Sequence, residues 1–338
     1  MKAYLIKRLF LILPTLFGIT VITFLVIRLA PGDPAELRAR SGQNLSSDGG
    51  KNLVNAQIIA ATRRIYELDK PIHIQYAKWV KRIFTLNFGD SFQDHRPVIQ
   101  KIRERLPITI ALNIISMLLA YLVAIPLGIY SAAFQGTRTD RLITFVNFML
   151  YSLPSFWIAT MAIVFLCGGD YWRLFPPGGI QSIAVAPLGF WQQSLDVGWH
   201  LVLPVACLTY GSFAFLSQQM RVGMLEVIRQ DYIRTARAKG LSEWTVIMKH
   251  ALRNSLIPIL TIIADILPAL IGGSVIIETI FSIPGMGRLG FEAILYRDYP
   301  VIMAVFTVSA LLTLVGFLIS DLLYAVVDPR ISFRQRNK

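Results

Sequence analysis

Four histidines, His73, His95, His200 and His250, and two cysteines, Cys167 and Cys207, are the side chains of this chain best suited to metal or nucleophilic chemistry. Their spacing argues against both. The cysteines form no Cys-x-x-Cys pair and sit in or beside apolar runs, where a thiol serves as a small packing residue. The histidines are far apart, and no Ser/His/Asp or Cys/His set accompanies them, so no metal site and no catalytic centre is expected. Nucleotide chemistry is missing too: the one Gly-Lys pair, Gly50–Lys51, lacks both the upstream glycine and the following Ser or Thr of a phosphate-binding loop. Two carboxylates stand out instead. Asp265 lies inside an apolar run, where a charge costs about 2.5–3.5 kcal/mol on insertion scales, so it must face a bundle interior or water. It lines a path or pairs with a polar group on another helix. Glu278 ends the same run, in a gate or a structural role.

The elements that carry these residues are membrane spans. Apolar residues make up 54% of the 338-residue chain and charged residues only 16%, against about 25% charged in soluble domains. Six apolar runs are long enough to cross a bilayer, which takes about 20 residues each: 9–30, 108–134, 142–167, 201–220, 256–279 and 301–327. The fold class expected is an all-α membrane protein of six transmembrane helices. Pro14, Pro126, Pro154, Pro204 and Pro268 fall inside these runs, which packed membrane helices tolerate. The first run follows Lys2, Lys7 and Arg8 but is too long for a signal peptide and lacks a clear cleavage site, so it reads as a retained anchor.

The net charge of +13 is spread between the apolar runs, which suits cytoplasmic loops better than a nucleic-acid face. Lys2, Lys7, Arg8, Arg138, Arg141, the basic residues of 221–255, and Arg330, Arg334, Arg336 and Lys338 fall on one side. The two short loops on the other side hold Arg173, Arg288 and Arg297. Both ends are therefore expected in the cytoplasm of a multi-pass protein. The long segment 31–106 is basic, yet the charge rule does not extend to segments of that length. It is expected outside, with two short amphipathic helices around Val54–Leu68 and Ile72–Ile83, broken at Leu68–Asp69–Lys70–Pro71. The chain thus divides into 1–30, 31–106 and a core of 107–338 that includes a cytoplasmic loop, 221–255.

That loop has a form of its own. Met224, Val227, Ile228, Tyr232 and Ile233 make one helical stripe, and Ile247, Met248, Ala251 and Leu252 make a second. Gly240 stands where the first helix would end, after Arg237 and Lys239 in its last turn. Ser242 follows as an N-cap with Glu243 in the next first turn. The segment predicts helix, glycine turn, helix. A solvated basic loop and a rigid docking element both fit.

The string from Asp231 to Leu241, with Tyr232, Arg234, Thr235, Ala236, Arg237, Ala238, Lys239 and Gly240 between, resembles the "EAA" loop of binding-protein-dependent ABC importer permeases, closest to the dipeptide/oligopeptide/nickel branch. The resemblance continues along nearly the whole chain: Ala30–Pro34, Leu68–Pro71, Phe88–Asp90, Tyr151–Trp157, His250–Asn254, Glu278–Gly287, Arg297–Pro300 and Asp328–Arg330. At the name-giving Glu-Ala-Ala this chain has Arg234, Thr235 and Ala236. The resemblance implies the type I ABC importer permease fold in a bacterial inner membrane. It implies a coupling helix that seats in a separate ATPase subunit, with ATP and Mg on two such subunits and no cofactor on this chain. It further implies a second homologous permease and an extracytoplasmic substrate-binding protein, which segment 31–106 would contact. Di- or oligopeptides are the expected solutes, with nickel chelates and glutathione as alternatives. A secondary transporter or channel would call for internal repeats or several intramembrane charges. A membrane enzyme would call for convergent acid, base or metal residues. Neither pattern is present in the sequence.

Overall fold

The computed structural model describes residues 2–29, 59–60, 70–168, 171–182, 189–266 and 272–327. The described residues form helices joined by turns, with one isolated β-bridge between Asp90 and Pro97. In order they are α1 (Lys2–Leu29), α2 (Ile72–Phe84), α3 (Val98–Ala133), α4 (Arg138–Ser152), α5 (Ser155–Ala162, continued as a π turn over Ile163–Cys167), α6 (Phe190–Ile228), α7 (Asp231–Ala238), α8 (Glu243–Thr245, continued as a π turn over Val246–Ala251), α9 (Leu252–Ile266), α10 (Val275–Ile280), α11 (Met286–Leu295) and α12 (Tyr299–Val327).

Among the described residues four helices are long and apolar enough to cross a membrane: α1 over Phe10–Ile27, α3, α6, and α12 over Tyr299–Ser320. The run 142–167, expected as one span, is instead broken: α4 and α5 meet at 91°. The break falls where the chain has Leu153–Pro154. Pro154 has no N–H to continue the helical ladder, and Leu153 is held extended at φ −82°, ψ 128°. The run 256–279 becomes α9, then residues outside the described set, then α10. The helix expected around Val54–Leu68 also falls mostly outside the described residues, whereas the one around Ile72–Ile83 is α2.

Two compact units emerge, 1–107 with 285–318, and 108–284 with 319–338. In the first, α2 lays its aromatic face on α1. Phe24 stacks on Trp79 with ring centroids 5.7 Å apart and meets Tyr76 edge-on at 5.4 Å. Thr20 and Tyr76 share a 2.9 Å hydrogen bond. A second core gathers Val98, Ile102, Met286, Leu289, Val301 and Val305. A polar knot lies beside it, with Ser91, Lys101 and Asp298 buried and Asp94 at its exposed edge. Buried Asp298 accepts from the Phe92 N–H at 3.0 Å and from the Ser91 hydroxyl. The Lys101 ammonium donates to Ser91 Oγ at 3.2 Å and pairs with Asp94 at 3.0 Å. Partial burial opposes the Asp94 charge, but hydrogen bonds from Lys101, Ser91 and the Arg96 N–H hold its carboxyl below the usual range.

The second unit is organised along α6. With 39 residues it is about 58 Å long, well beyond a hydrocarbon core of about 30 Å. Gly128 on α3 allows the closest approach: a Cβ there would meet Met220 Cβ at 2.5 Å and the Ser217 carbonyl at 2.7 Å. Against α4, α6 presents a polar seam. Arg221 donates two hydrogen bonds to buried Asp140, at 2.9 and 3.0 Å. Asn147 Nδ2 donates to Ser217 Oγ at 3.1 Å, and the Tyr210 hydroxyl donates to the Leu153 carbonyl at 2.7 Å. Asp140 also receives the Ser131 hydroxyl and the Gly136 N–H. Because removing one partner strands a buried charge, R221A should lower stability by about 3 kcal/mol. The double variant D140N/R221M should lose less. Thermal unfolding of the purified subunit in detergent measures both.

Candidate functional site

The segment that the sequence marks around Gly240 forms a compact device at the foot of the second unit. The structure divides the expected first helix in two. α6 ends at Ile228, Arg229 caps it, and Gln230 turns extended at φ −72°, ψ 150° before α7 begins at Asp231. The continuous stripe from Met224 to Ile233 is therefore bent, which lets an eight-residue helix depart from the long one.

α7 is amphipathic in a literal sense. Ile233 and Ala236, three apart, are buried among Met220 and Met224 of α6, Tyr121 and Ala124 of α3, and Ala251 and Ile259 near the start of α9. Full burial of an Ile side chain contributes about 1.5–3 kcal/mol. The other residues of the string, Tyr232, Arg234, Thr235, Arg237, Ala238, Lys239, Gly240 and Leu241, are exposed. Ala236 thus faces the bundle while Ala238 faces outward.

Three contacts hold α7 at both ends. Asn254 Nδ2 donates to the Tyr232 hydroxyl at 2.7 Å, tying α7 to α9. Gly240 adopts φ +78°, and its N–H donates to the Arg237 carbonyl at 2.9 Å. Ser242 Oγ then caps α8 by accepting from the Thr245 N–H at 3.4 Å. Across the turn Arg237 donates to both oxygens of Glu243 at 2.8 and 3.2 Å, a bidentate staple. By contrast Arg234 and Asp231 pair at 3.3 Å with side chains 73% and 95% exposed, which contributes little. Arg234 is therefore free to meet another surface.

One member of this face was missed in the sequence. Trp244 is 72% exposed beside the Gly240 turn, next to Leu241 at 40%. The available signal was a tryptophan off the apolar stripe of a basic loop. The two carboxylates fall elsewhere. Glu278, in the first turn of α10 behind the Ser274 cap, is fully buried and accepts from Thr109 Oγ1 of α3 at 3.1 Å. Asp265 belongs to α9, but its side chain lies outside the described residues. Glu278 is not brought to α7. No group of three His, Cys, Asp or Glu that could hold a metal occurs among the described residues.

The sequence that carries this helix has counterparts in known proteins. Residues 124–333 match the family described as binding-protein-dependent transport system inner membrane component, and residues 1–113 match that of its N-terminal part. The chain belongs to this family. It is 39% identical to the oligopeptide transport system permease protein AppB of Bacillus subtilis, over 98% of this chain and all of the relative. It is 36% identical to the inner membrane ABC transporter permease protein YejB of Escherichia coli O157:H7 over 99% of this chain, and to the dipeptide transport system permease protein DppB of Alkalihalophilus pseudofirmus over 98%. Both of those relatives are covered in full. The chain is an ABC transporter permease of the inner membrane, built of helices in its described residues.

In this permease the Gly240 turn sets the path of α7. Nothing lies within 4 Å of a Cβ at Gly240, so G240A should cost only the left-handed conformation, about 1–2 kcal/mol. G240P cannot adopt positive φ and loses the donated hydrogen bond. Hydrogen exchange over 231–245 in the purified subunit should show protection near wild type for G240A and its loss for G240P.

Proposed function

We propose that this chain is one of two permease subunits in an ATP-driven importer of di- or oligopeptides, and that α7 is its coupling helix. The observation that carries the reading is the two-sided seating of α7, with Ile233 and Ala236 in the bundle and Tyr232, Arg234, Thr235, Arg237, Ala238, Leu241 and Trp244 open to a partner. Full-length similarity to permeases named for oligopeptides and dipeptides supports the solute class. Nickel chelates and glutathione are the alternatives.

In this reading the chain has six spans, the broken pair α4–α5 and the α9–α10 run each counting as one, with both ends in the cytoplasm. Residues 31–106 lie outside and meet a substrate-binding protein. ATP and Mg are held by two separate ATPase subunits, and this chain binds no cofactor and catalyses nothing. When those subunits close on ATP, the push on α7 passes through Ile233 and Ala236 into α3, α6 and α9, and through the Arg221–Asp140 seam into α4. Each ligand favours one of two bundle states, which is all that alternating access requires. Asp265 is assigned to the path on its sequence position alone, and Glu278, buried against Thr109, has a gate or structural role at the outer end.

Membrane vesicles holding the complete transporter should take up labelled peptide only with ATP and the ATPase subunits. W244A, at an exposed position, should leave thermal stability unchanged while lowering ATPase co-purification and coupled uptake at least ten-fold. Uptake driven by an ion gradient without ATPase subunits would instead identify a secondary transporter.

A further inference from the structure

The broken span poses a problem that the coupling helix does not. The seam between α4 and α6 sets its depth. α4 starts with the charged residues Arg138, Asp140 and Arg141 and, at 15 residues, rises about 22 Å before it stops. Its end is tied to Tyr210, which lies about 16 Å along α6 from the Arg221 that grips its beginning. A hydrocarbon core is about 30 Å thick. The break at Leu153–Pro154 therefore lies within membrane depth.

Backbone there is not self-satisfied. The Leu153 N–H bonds the Leu150 carbonyl at 3.3 Å, the Leu153 carbonyl receives Tyr210, and the Pro154 carbonyl receives the N–H groups of Trp157 and Ile158 at 3.1 and 3.2 Å. The N–H groups of Ser155 and Phe156, the carbonyls of Tyr151 and Ser152, and the Ser155 hydroxyl find no partner among the described residues. The residues that carry them are not buried: Tyr151, Ser152, Ser155 and Phe156 are all exposed on this chain. Irregular backbone is tolerated at membrane depth only where protein or a water-filled cavity covers it, since each unmet group costs several kcal/mol in hydrocarbon. The inner side of α5 is accounted for, with Ile158, Ala159 and Ala162 packed on Leu203, Val205 and Ile277. The break itself faces away.

We infer that the break from Tyr151 to Trp157 faces the aqueous translocation path and is a wall against which the solute slides. This rests on the importer reading given above. The chemistry of the wall is mixed. Open backbone groups and two serines provide hydrogen bonds, while Tyr151, Phe156 and Trp157, 63%, 52% and 45% exposed, provide aromatic faces. That combination suits a solute with a hydrogen-bonding backbone and bulky side chains of any identity, which is the chemistry of a peptide. Tyr210 acts as a positioning residue. Its hydroxyl occupies the Leu153 carbonyl and fixes the bend, leaving the neighbouring groups to water.

The test is water access in membrane vesicles holding the complete transporter. S152C and S155C are made in a C167S/C207A background, and a C167S variant that keeps only the buried Cys207 sets the unreactive baseline. A charged methanethiosulfonate reagent should modify S155C at least ten-fold faster than Cys207, at a rate that differs between ATP-free and vanadate-trapped states, and modification should block uptake. S152C provides the same readout should S155C fail to insert. Labelling no faster than Cys207 in a complex that still transports would overturn the inference. So would rapid labelling confined to the isolated subunit, since partner protein would then cover the break. Loss of ATP-driven uptake in wild type would contradict the importer reading while leaving the labelling result intact.

Discussion

An eight-residue helix has little stability of its own in water, because nucleation is costly and propagation adds only one hydrogen bond per residue. α7 therefore exists only where the bundle holds it. Ile233 and Ala236 are its anchors, the Asn254–Tyr232 bond ties one end, and the Gly240 turn with its Arg237–Glu243 staple closes the other. This constraint has a mechanical consequence. A helix that cannot persist apart from its seat cannot move apart from it, so displacement of α7 is displacement of α3, α6 and α9. The polar seam extends the rigid body to α4, whose beginning, middle and end are each bonded to α6.

Two buried carboxylates of the second unit are satisfied in the same way. Glu278 is buried where Thr109 donates to it, and Asp140 is buried where Arg221, Ser131 and Gly136 converge on it. The break between α4 and α5 is fixed by Tyr210 on its inner side. What stays open there is a short polar and aromatic strip, the wall of the aqueous path in the inference drawn above. α7 and the strip at the break lie in one compact unit and are joined by α6 and α4.

Much of this was readable from sequence because it is local. The apolar runs, the amphipathic pattern of Ile72–Ile83, the Gly240 turn and the Ser242 cap each depend on residues within a few positions of one another. Other features depend on distant partners and left no local trace. Arg221 reads as one more inner-side cation until Asp140 is placed against it. Pro154 reads like Pro14, Pro204 and Pro258, yet those lie inside continuous helices and Pro154 ends one. The length of α6 was hidden because its polar ends do not resemble a span. The bend at Arg229–Gln230 was hidden because the apolar stripe continues across it. Trp244 carries no periodic signal at all, and only its exposure in the fold marks it.

The central claim is that α7 is the input through which ATPase subunits drive this permease. Site-directed cross-linking tests it most directly. A cysteine at Ala238, exposed on α7 and clear of the bundle, would be treated with a short bifunctional maleimide in vesicles holding the complete transporter. The account predicts a cross-linked product of this subunit with an ATPase subunit, formed at different rates with and without ATP. Absence of that product, in a complex where uptake remains ATP-driven, would contradict it.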